Sequence, residues 1–466
     1  MSSCVTRRDA LRSLALLLGQ SLSHSPLVAE SERKHFRLAT FSADVTPPIG
    51  HPLLGNLYQP AKSVADPLQA IGFVLTGSEL PLVLVAIDWC EIRNDAYDRW
   101  REVLAEAAGT KRERVLVTSV HQHDAPLADL EAQRILDANN TRVKIIDFDF
   151  HEEMVQRVAR ALRESLASAQ PVTHLGLGTA RVEQVASNRR VDLPDGTFHY
   201  GRMSASAARY GDAPVGLIDP LLRTISFWNH DQPIAALSAY ATHPMSYYGG
   251  GEITSDFVGL ARERRQADDP QVRQIYVSGC SGNITAGKYN DGARDKRPLL
   301  RDRLYRAMAE AWKNTRRQPL DEVGFRVVPL RLEPRVDSGY AVEDLQKLLT
   351  DPAQPAFRRA FAAKGLSWHK RADPGYRLDL PVIQLGPARI ILLPGESYVE
   401  FQLLAQQLLP DAFVMAIGYG ECAPGYIPTD KHFEEKDLNL NDWCWVAPGA
   451  EKAMAAAIKE ALVPSR

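Results

Sequence analysis

Two histidines that stand two positions apart, His121 and His123, have the residue type and spacing to do metal chemistry. They follow the segment Arg114–Val120, whose run of β-branched and apolar residues predicts a buried strand. Side chains two positions apart in extended backbone point to the same side, so both imidazoles can face one cavity. Neutral imidazole is the commonest metal ligand in proteins. The alternative is a pair of surface histidines at the end of a strand.

Three more segments place polar side chains directly after an apolar, strand-like run. His243 ends one such run, Glu396 follows a second, and the glycine- and serine-rich loop 279–292 follows a third. Each has a structural alternative: a core histidine with a backbone partner, a charge favoured by a helix N-terminus, and an ordinary glycine-rich turn. Polar residues beyond strand ends are nevertheless where open α/β sheets bind ligands.

Two histidines and one carboxylate form a catalytic zinc set that leaves a coordination position for water. The pKa of such a water falls to about 7, which makes a nucleophile available at neutral pH. From the four strand-end positions together we predict that His121, His243 and Glu396 meet around one Zn²⁺ ion.

The elements that must position these residues alternate between strands and helices. We predict strands at Arg37–Val45, Ala70–Leu75, Leu82–Asp88, Arg114–Val120, Arg223–Trp228, Pro233–Ala241, Val272–Ser278, Val382–Leu385, Ala388–Leu393 and Phe413–Gly418. We predict helices at Ala96–Ala108, Glu152–Ala169, Pro298–Thr315, Ser397–Leu409 and Ala450–Leu462. The weakly patterned segment Pro334–Pro381 is either an insertion or lid, or a surface helical excursion. No repeat or low-complexity linker divides the chain, which predicts an α/β fold of mixed β-sheets flanked by helices in a single large catalytic domain, residues 30–466.

Composition narrows the classes of partner. The chain has 466 residues, of which 45% are apolar, enough for a substantial core. Its 55 basic and 57 acidic residues give a net charge of −2. The sequence has no long basic run of the kind that would indicate nucleic acid as a partner. The sequence contains no stretch of 18 uncharged apolar residues, so it predicts no transmembrane helix.

The N-terminus differs from the rest of the sequence. Arg7 and Arg8 precede a short apolar run, 14–18, and small residues lead to Ala29. This pattern is typical of a twin-arginine export signal over residues 1–29, and the alternative is an ordinary amphipathic helix. We therefore expect an exported protein, periplasmic or extracellular.

The cysteines do not form a metal-binding motif. Cys4 lies in the expected signal, and the other four, Cys90, Cys280, Cys422 and Cys444, form no Cys-x-x-Cys pair. An oxidising compartment would permit a disulfide between Cys422 and Cys444. We prefer buried free thiols.

Several short motifs, in the order in which they occur along the chain, resemble those of the neutral, non-lysosomal ceramidase family. The resemblance covers most of the chain, from Phe41 to the region of Tyr426, after the export signal. The matching motifs, in chain order, are Asp44-Val45-Thr46-Pro47-Pro48-Ile49-Gly50, His121-Gln122-His123, Asn188-Arg189, His243-Pro244, Pro394-Gly395-Glu396 and Gly425-Tyr426. The family also carries a further C-terminal β-domain, which we expect this chain to lack.

The resemblance implies roles for individual residues. It implies that His121, His243, Glu396 and Tyr426 hold Zn²⁺, and that Arg189 orients the substrate or an oxyanion. His123 would support the ligands or handle a proton. A phenol is an unusual zinc ligand, so Tyr426 either binds zinc, hydrogen-bonds the reacting oxygen, or is a half-buried turn aromatic.

One departure from the family affects the nucleophile. The family's Gly-Asp-Val-Ser, whose serine is assigned that role, reads Gly282-Asn283-Ile284-Thr285 here. Thr285 keeps a hydroxyl but is β-branched and stiffer, so it could attack, position water or be structural. Cys280 and Ser281 are rival nucleophiles with no evident base. We favour attack by a metal-activated water.

The sequence therefore predicts a zinc-dependent amidohydrolase that cleaves the N-acyl bond of a small molecule or a lipid such as a ceramide-like compound. One alternative is hydrolysis of another acyl ester or of an N-acyl sugar. The other is a non-catalytic exported binding protein that keeps the metal pocket.

Overall fold

Three mixed sheets form the framework of the computed structural model, which describes Met1 and residues 35–55, 57–373 and 375–463. In sheet order, the first sheet contains Val115–Ser119, Leu82–Ile87, Gln69–Thr76, Phe36–Asp44 and Gln170–Val172. The second contains Arg273–Ser278, Gln232–Tyr240, Leu221–Asn229, His174–Arg181 and Arg316–Pro319. The third contains Val323–Leu330, Leu378–Leu385, Ala388–Leu392 and Phe413–Ile417.

Among the residues that the structure describes, five two-stranded ladders lie outside the three sheets. They pair Ser63–Val64 with Glu252–Ile253, Glu91–Arg93 with Leu127–Asp129, Ser187–Asn188 with Ile284–Thr285, Arg190–Asp192 with Phe198–Tyr200, and Glu396–Ser397 with Tyr426–Ile427. Several of these short ladders carry the polar residues that the sequence singles out.

Helices cover the sheets. The α-helices of the described residues are Asn94–Ala108, Leu130–Ala138, Phe148–Ser165, Ala207–Tyr210, Asp256–Asp268, Lys296–Lys313, Val342–Thr350, Ala356–Ala372, Val399–Leu408, Asp430–Glu434 and Ala450–Leu462. Short 3₁₀ turns occur at Arg112–Arg114, Leu166–Ser168 and Leu438–Asn441. The fold is α/β, with mixed sheets flanked by helices, and the chain from His35 onward forms one compact unit.

The central strands are buried on both faces, because their alternate residues belong to different cores. In the strand Leu82–Ile87, Val83 and Val85 pack into a core shared with the flanking helices, whereas Leu84 packs into a core shared with the second sheet. Side chains of a strand alternate between its faces. The uninterrupted apolar sequence of this strand is therefore a consequence of lying between two cores.

Every predicted strand and helix is present, within a few residues of its expected bounds. The segment Pro334–Pro381 is not a loose excursion. It forms the helices Val342–Thr350 and Ala356–Ala372, and the second of these buries Phe361 and Trp368 in the core. The structure thus makes this segment a layer of the domain.

Each large sheet contains one parallel pair of strands, and the carboxyl ends of these pairs meet. The Ser119 amide donates to the Tyr419 carbonyl over 3.0 Å, and the Gly418 amide donates to the Ser278 carbonyl over 2.9 Å. The Ser278 hydroxyl also donates to the Val120 carbonyl over 2.8 Å. The strand ends of all three sheets are therefore joined directly by hydrogen bonds.

The four cysteines from Cys90 onward are buried free thiols, as preferred from the sequence. Residues 1–29 lie outside the described part of the chain except for Met1, so the export signal stays a prediction. No helix among the described residues combines the length and the hydrophobicity that a bilayer span requires.

A buried ion pair supports the segment that leads to His121. Arg262 donates to both oxygens of Asp88 over 2.7 Å, and both side chains are almost fully buried. Gln122 donates to the same carboxylate over 3.0 Å. The ion pair therefore holds together the end of the strand Leu82–Ile87, the helix Asp256–Asp268 and Gln122, the residue next to His121.

We expect Asp88→Ala to lower the free energy of unfolding by about 3–5 kcal/mol, because it leaves Arg262 charged and unpaired in the interior. Denaturant titration followed by circular dichroism measures this loss. Asp302→Ala is the matched control, since its pairs with Arg264 and Arg301 are solvent-exposed and should contribute less than about 1 kcal/mol. Equal losses in the two variants would contradict the prediction.

Candidate metal centre

The structure brings His121, His243 and Glu396 together, although they are far apart in sequence. The His243 Nε2 lies 3.0 Å from Glu396 Oε2, and the His121 Nε2 lies 3.2 Å from the same oxygen. One ligand atom from each residue lies within 4.8 Å of the other two. All three side chains are buried.

The local backbone conformation orients His121 and His243 toward Glu396. His121 follows a strand of the first sheet, and its φ of 78° lies in the left-handed region that non-glycine residues seldom adopt. Its amide donates to the Trp89 carbonyl over 3.0 Å. His243 follows a strand of the second sheet, and its amide donates to the Ile284 carbonyl over 3.1 Å. The strained conformation at His121 is of the kind that persists where the surrounding structure imposes it, often at functional sites.

Backbone carbonyls set the tautomer of both histidines. The Nδ1 of His121 lies 2.8 Å from the Cys90 carbonyl, and the Nδ1 of His243 lies 2.6 Å from the Ser281 carbonyl. A carbonyl only accepts hydrogen bonds, so each Nδ1 carries the hydrogen and each Nε2 presents a lone pair. A donor bond of this kind is the usual outer support of a metal-binding histidine.

The three side chains form a set of ligands that fits a divalent cation. Two Nε2 lone pairs and one carboxylate oxygen are all acceptors, and each nitrogen lies within hydrogen-bonding distance of the carboxylate oxygen. In the described part of the chain, the His121 Nε2 has no hydrogen-bond donor. A proton or a cation between these atoms relieves the repulsion, and two histidine nitrogens with one carboxylate are typical of zinc.

The pKa shifts at the centre follow from burial and mutual attraction. Burial opposes charge on Glu396, yet His121 and His243 hold the pKa of its carboxyl well below the usual value. Burial also opposes charge on His121, and the Glu396 carboxylate raises its pKa nonetheless. Burial and the nearby Arg189 lower the pKa of His243 to about 4. The carboxylate thus stays ionised and attracts positive charge, which a metal ion supplies.

Arg189 and Tyr426 form a pair beside the cluster. The Arg189 Nη1 donates to the Tyr426 hydroxyl over 2.7 Å and to Asn439 Oδ1 over 3.2 Å. The Arg189 Nη2 lies 3.3 Å from the His243 Nε2. Tyr426 is held next to Glu396, because these two residues pair directly in a parallel ladder. The arginine, the tyrosine and the cluster therefore form one continuous polar surface.

His123 lies at the edge of the same cluster. Its ring centroid is 4.9 Å from that of His121 and 6.0 Å from that of His243. Its Nδ1 is 3.2 Å from the His121 carbonyl, which places the hydrogen on Nδ1 and leaves Nε2 as an acceptor. Burial lowers the pKa of His123 well below the usual value, with a further contribution from His121. It is therefore a neutral imidazole with a free nitrogen.

Thr285 has a different environment. Its hydroxyl accepts from the Gly287 amide over 3.2 Å and lies 3.5 Å from the Met203 carbonyl. The side chain is fully buried in the short ladder with Ser187, and Thr285 is not among the described residues that line the cavity beside the cluster. These contacts satisfy the hydroxyl and favour the structural alternative. Ser281 is likewise engaged, 2.7 Å from the Tyr419 hydroxyl.

A cavity of about 600 Å³ opens onto the centre. His121, Glu396, His123, Arg189 and Tyr426 line it, whereas His243 is fully buried behind them. Its other lining residues are Leu54, Gly55, Leu57, Glu91, His199, Tyr200, Gly201, Met203, Ser204, Arg209, Met245, Tyr248, Phe357, Leu438, Asn439, Asp442 and Trp443. The size is that of a small-molecule site.

Solved structures similar to this one include two ceramidases. A ceramidase solved in complex with C2 has a TM-score of 0.68 and 17% sequence identity, over 92% of this chain and 75% of that chain. The neutral ceramidase from Pseudomonas aeruginosa has a TM-score of 0.66 and 18% identity, over 92% of this chain and 74% of that chain. This chain has the neutral ceramidase fold. No protein-family model matches the sequence, and no curated protein matches it significantly.

The ceramidase fold confirms the resemblance seen in the sequence at the level of architecture. Sequence reasoning missed several residues that line the cavity, among them Glu91, Phe357 and Trp443. Glu91 carries the same signal that identified His121, a polar residue shortly after an apolar strand. Phe357 and Trp443 carry no such signal, because they come from a helix and a loop that are remote in sequence.

We expect His121→Ala and Glu396→Ala to bind less than about one-tenth of an equivalent of zinc, because each removes one of three converging acceptors. The measurement is elemental analysis after metal-replete expression and desalting. His174→Ala is the control, since that half-buried histidine lies on a strand of the second sheet outside the cluster. Wild-type protein with less than about half an equivalent of any transition metal would contradict the assignment.

Proposed function

We propose that this chain is a zinc-dependent hydrolase that cleaves the amide bond of an N-acyl substrate with water. The observation that carries the proposal is the convergence of three acceptors, His121, His243 and Glu396, beside the donors Arg189 and Tyr426 in one cavity. This arrangement combines a cation site with groups that bind a developing negative charge. A bound Zn²⁺ ion supplies a polarised carbonyl and an activated water.

The chain's own residues orient the scissile carbonyl. The Arg189 guanidinium and the Tyr426 hydroxyl are already hydrogen-bonded to each other, so their positions are fixed before a substrate arrives. Preorganised donors at the oxygen where charge develops are a large source of rate acceleration. The same Tyr426 oxygen, next to Glu396, also suits the role of fourth ligand that the family resemblance implies.

Proton movement is assigned to His123. Its Nδ1 is committed to the His121 carbonyl, so its Nε2 is the atom that accepts a proton. As water adds to the carbonyl carbon, one water proton moves to this Nε2. The carbon–nitrogen bond then breaks, and the proton passes from Nε2 to the leaving nitrogen, which yields a carboxylic acid and an amine.

The mouth of the cavity suits an acyl chain. Leu57, Met203, Leu438 and Tyr248 line the cavity, and all four are exposed large apolar residues. Apolar side chains that cluster at an opening mark a binding surface more often than scattered ones do. We therefore propose a lipid-like N-acyl substrate.

Export through the signal at residues 1–29 to the periplasm or the outside of the cell stays part of this proposal.

We expect the metal-loaded protein to hydrolyse N-acyl amides faster than matched acyl esters in a substrate panel followed by release of the fatty acid. Chelation of the metal should abolish turnover, and added zinc should restore it. An ester preference would favour the alternative of an esterase. Metal-loaded protein that turns over no substrate in a broad panel of amides, esters and N-acyl sugars would favour the binding protein.

We expect Tyr426→Phe to lower kcat by about 10²–10³-fold, the usual effect of removing one donor to an oxyanion. The variant keeps the ring and removes only the hydroxyl, so its melting temperature should stay close to that of the wild type. Tyr305→Phe is the matched control, because the Tyr305 hydroxyl donates to the surface residue Asp268, away from the cavity. An unchanged kcat in Tyr426→Phe would exclude its hydroxyl from the reaction.

A further inference from the structure

The short turn Leu438–Asn441 carries Asn439 into the wall of the cavity, next to Arg189. Asp437 begins this turn, because its carboxylate accepts from the Asn439 amide over 2.9 Å. Lys436 before the turn and Trp443 after it have φ of 56° and 65°, in the region that non-glycine residues seldom adopt. Such conformations persist where the surrounding structure imposes them. Asn439 is therefore mounted on a backbone that the fold holds in place.

Arg189 is a buried cation that relies on neutral partners. Its side chain is 3% exposed, and in the part of the chain that the structure describes it forms no ion pair with a carboxylate. Its guanidinium instead donates to the Tyr426 hydroxyl over 2.7 Å and to Asn439 Oδ1 over 3.2 Å, and it lies 3.3 Å from the His243 Nε2. A buried charge is costly without such partners, so each of them matters for where the guanidinium lies.

Two of these three partners have another task in the proposed reaction. The lone pair of the His243 Nε2 is assigned to the metal, and the Tyr426 hydroxyl is assigned to the metal or to the reacting oxygen. The amide oxygen of Asn439 has neither task. Asn439 is therefore the partner that can hold the Arg189 guanidinium unchanged while the substrate reacts.

Asp437 sets the orientation of the Asn439 amide. The Asn439 Nδ2 donates to Asp437 Oδ1 over 2.6 Å, and the Tyr398 hydroxyl donates to Asp437 Oδ2 over 2.7 Å. A carboxylate only accepts hydrogen bonds, so the amide nitrogen faces Asp437 and the amide oxygen faces Arg189. Hydrogen bonds arranged in a chain strengthen one another in a medium of low dielectric. Asp437, itself 1% exposed, thus makes Asn439 a better acceptor for the arginine.

Resting on the proposed function, we propose that Asn439, oriented by Asp437, is a positioning residue that holds Arg189 where negative charge develops on the substrate. Asp437 acts on this arginine through the amide, much as the aspartate of a catalytic triad acts through its histidine without reaching the substrate. A donor that is preorganised for the transition state contributes to kcat more than to substrate binding.

We expect Asn439→Ala to lower kcat by about 10–100-fold and to change KM by less than about twofold, because a hydrogen bond to a charged group is lost. Asp437→Asn, which keeps the shape and removes the charge, should lower kcat in the same direction by a smaller factor. The measurement is steady-state hydrolysis of an N-acyl amide by metal-loaded protein, with equal zinc content confirmed for each variant by elemental analysis.

Asn441→Ala is the matched control, because Asn441 lies on the same turn with an exposed side chain and is not among the described residues that line the cavity. Its kcat and KM should equal those of the wild type. A raised KM with an unchanged kcat in Asn439→Ala would make Asn439 a substrate contact and would overturn the positioning role.

A double-mutant cycle separates positioning from a general structural effect. Once Arg189→Ala has removed the guanidinium, adding Asn439→Ala should lower kcat by less than about threefold more, since the two residues act as one unit. Losses that multiply in full would show that Asn439 acts independently of Arg189, which contradicts the proposal. If Arg189→Ala has no measurable turnover, crystal structures decide. In Asn439→Ala the distance from the Arg189 guanidinium to the Tyr426 hydroxyl should exceed about 3.5 Å, and an unmoved guanidinium overturns the proposal.

Failure of this proposal is distinguishable from failure of the proposed function. Wild-type protein that hydrolyses N-acyl amides, with an Asn439→Ala variant of equal kcat, overturns the role of Asn439 and leaves the hydrolase standing. Metal-loaded wild-type protein that hydrolyses no substrate overturns both. If Asn439→Ala does not fold, as judged by its melting temperature, Asp437→Asn carries the test, and an unchanged kcat in that variant overturns the proposal.

Discussion

The hydrogen bonds that join the strand ends of the three sheets are the constraint on which the rest of the structure depends. Gly279 and Gly418 allow this approach, since a Cβ on Gly418 would lie only 2.9 Å from the Gly279 carbonyl oxygen. His121, His243 and Glu396 each follow a strand of a different sheet. A displacement of one sheet relative to the others would therefore move one ligand away from the other two.

Burial gives the candidate centre its chemical character. The two histidine nitrogens lie 3.0 and 3.2 Å from the Glu396 carboxylate oxygen, and burial strengthens the repulsion between these acceptors. Their orientation is nevertheless fixed, because the Nδ1 of each histidine bonds to a backbone carbonyl. Rigid supports thus maintain an arrangement that is unfavourable without a cation. The same low dielectric strengthens the donors Arg189 and Tyr426 when charge develops between them and the substrate.

The sequence predicts the residues at strand ends well, because two simple regularities coincide there. Buried strands are recognisable as apolar runs, and a polar residue just beyond such a run breaks the pattern, as at His243 and Glu396. The helix Asp256–Asp268 was not predicted from the sequence, because its buried face is not uniformly apolar. It buries Arg262 and Arg265 in ion pairs, so its apolar periodicity is weak. The strand Val323–Leu330 was missed because Gly324 and Pro329 interrupt it.

Contacts that depend on two remote segments could not be read from the sequence. The ladder that places Tyr426 beside Glu396 contains only two residues in each strand, too short for any periodicity. The hydroxyl of Thr285 is a similar case, since only the folded chain reveals that backbone groups satisfy it. A hydroxyl that is already bonded and fully buried cannot reach a substrate without breaking those contacts. Attack by water, with the cavity-lining side chains as supports, is therefore the mechanism that demands the least rearrangement of this site.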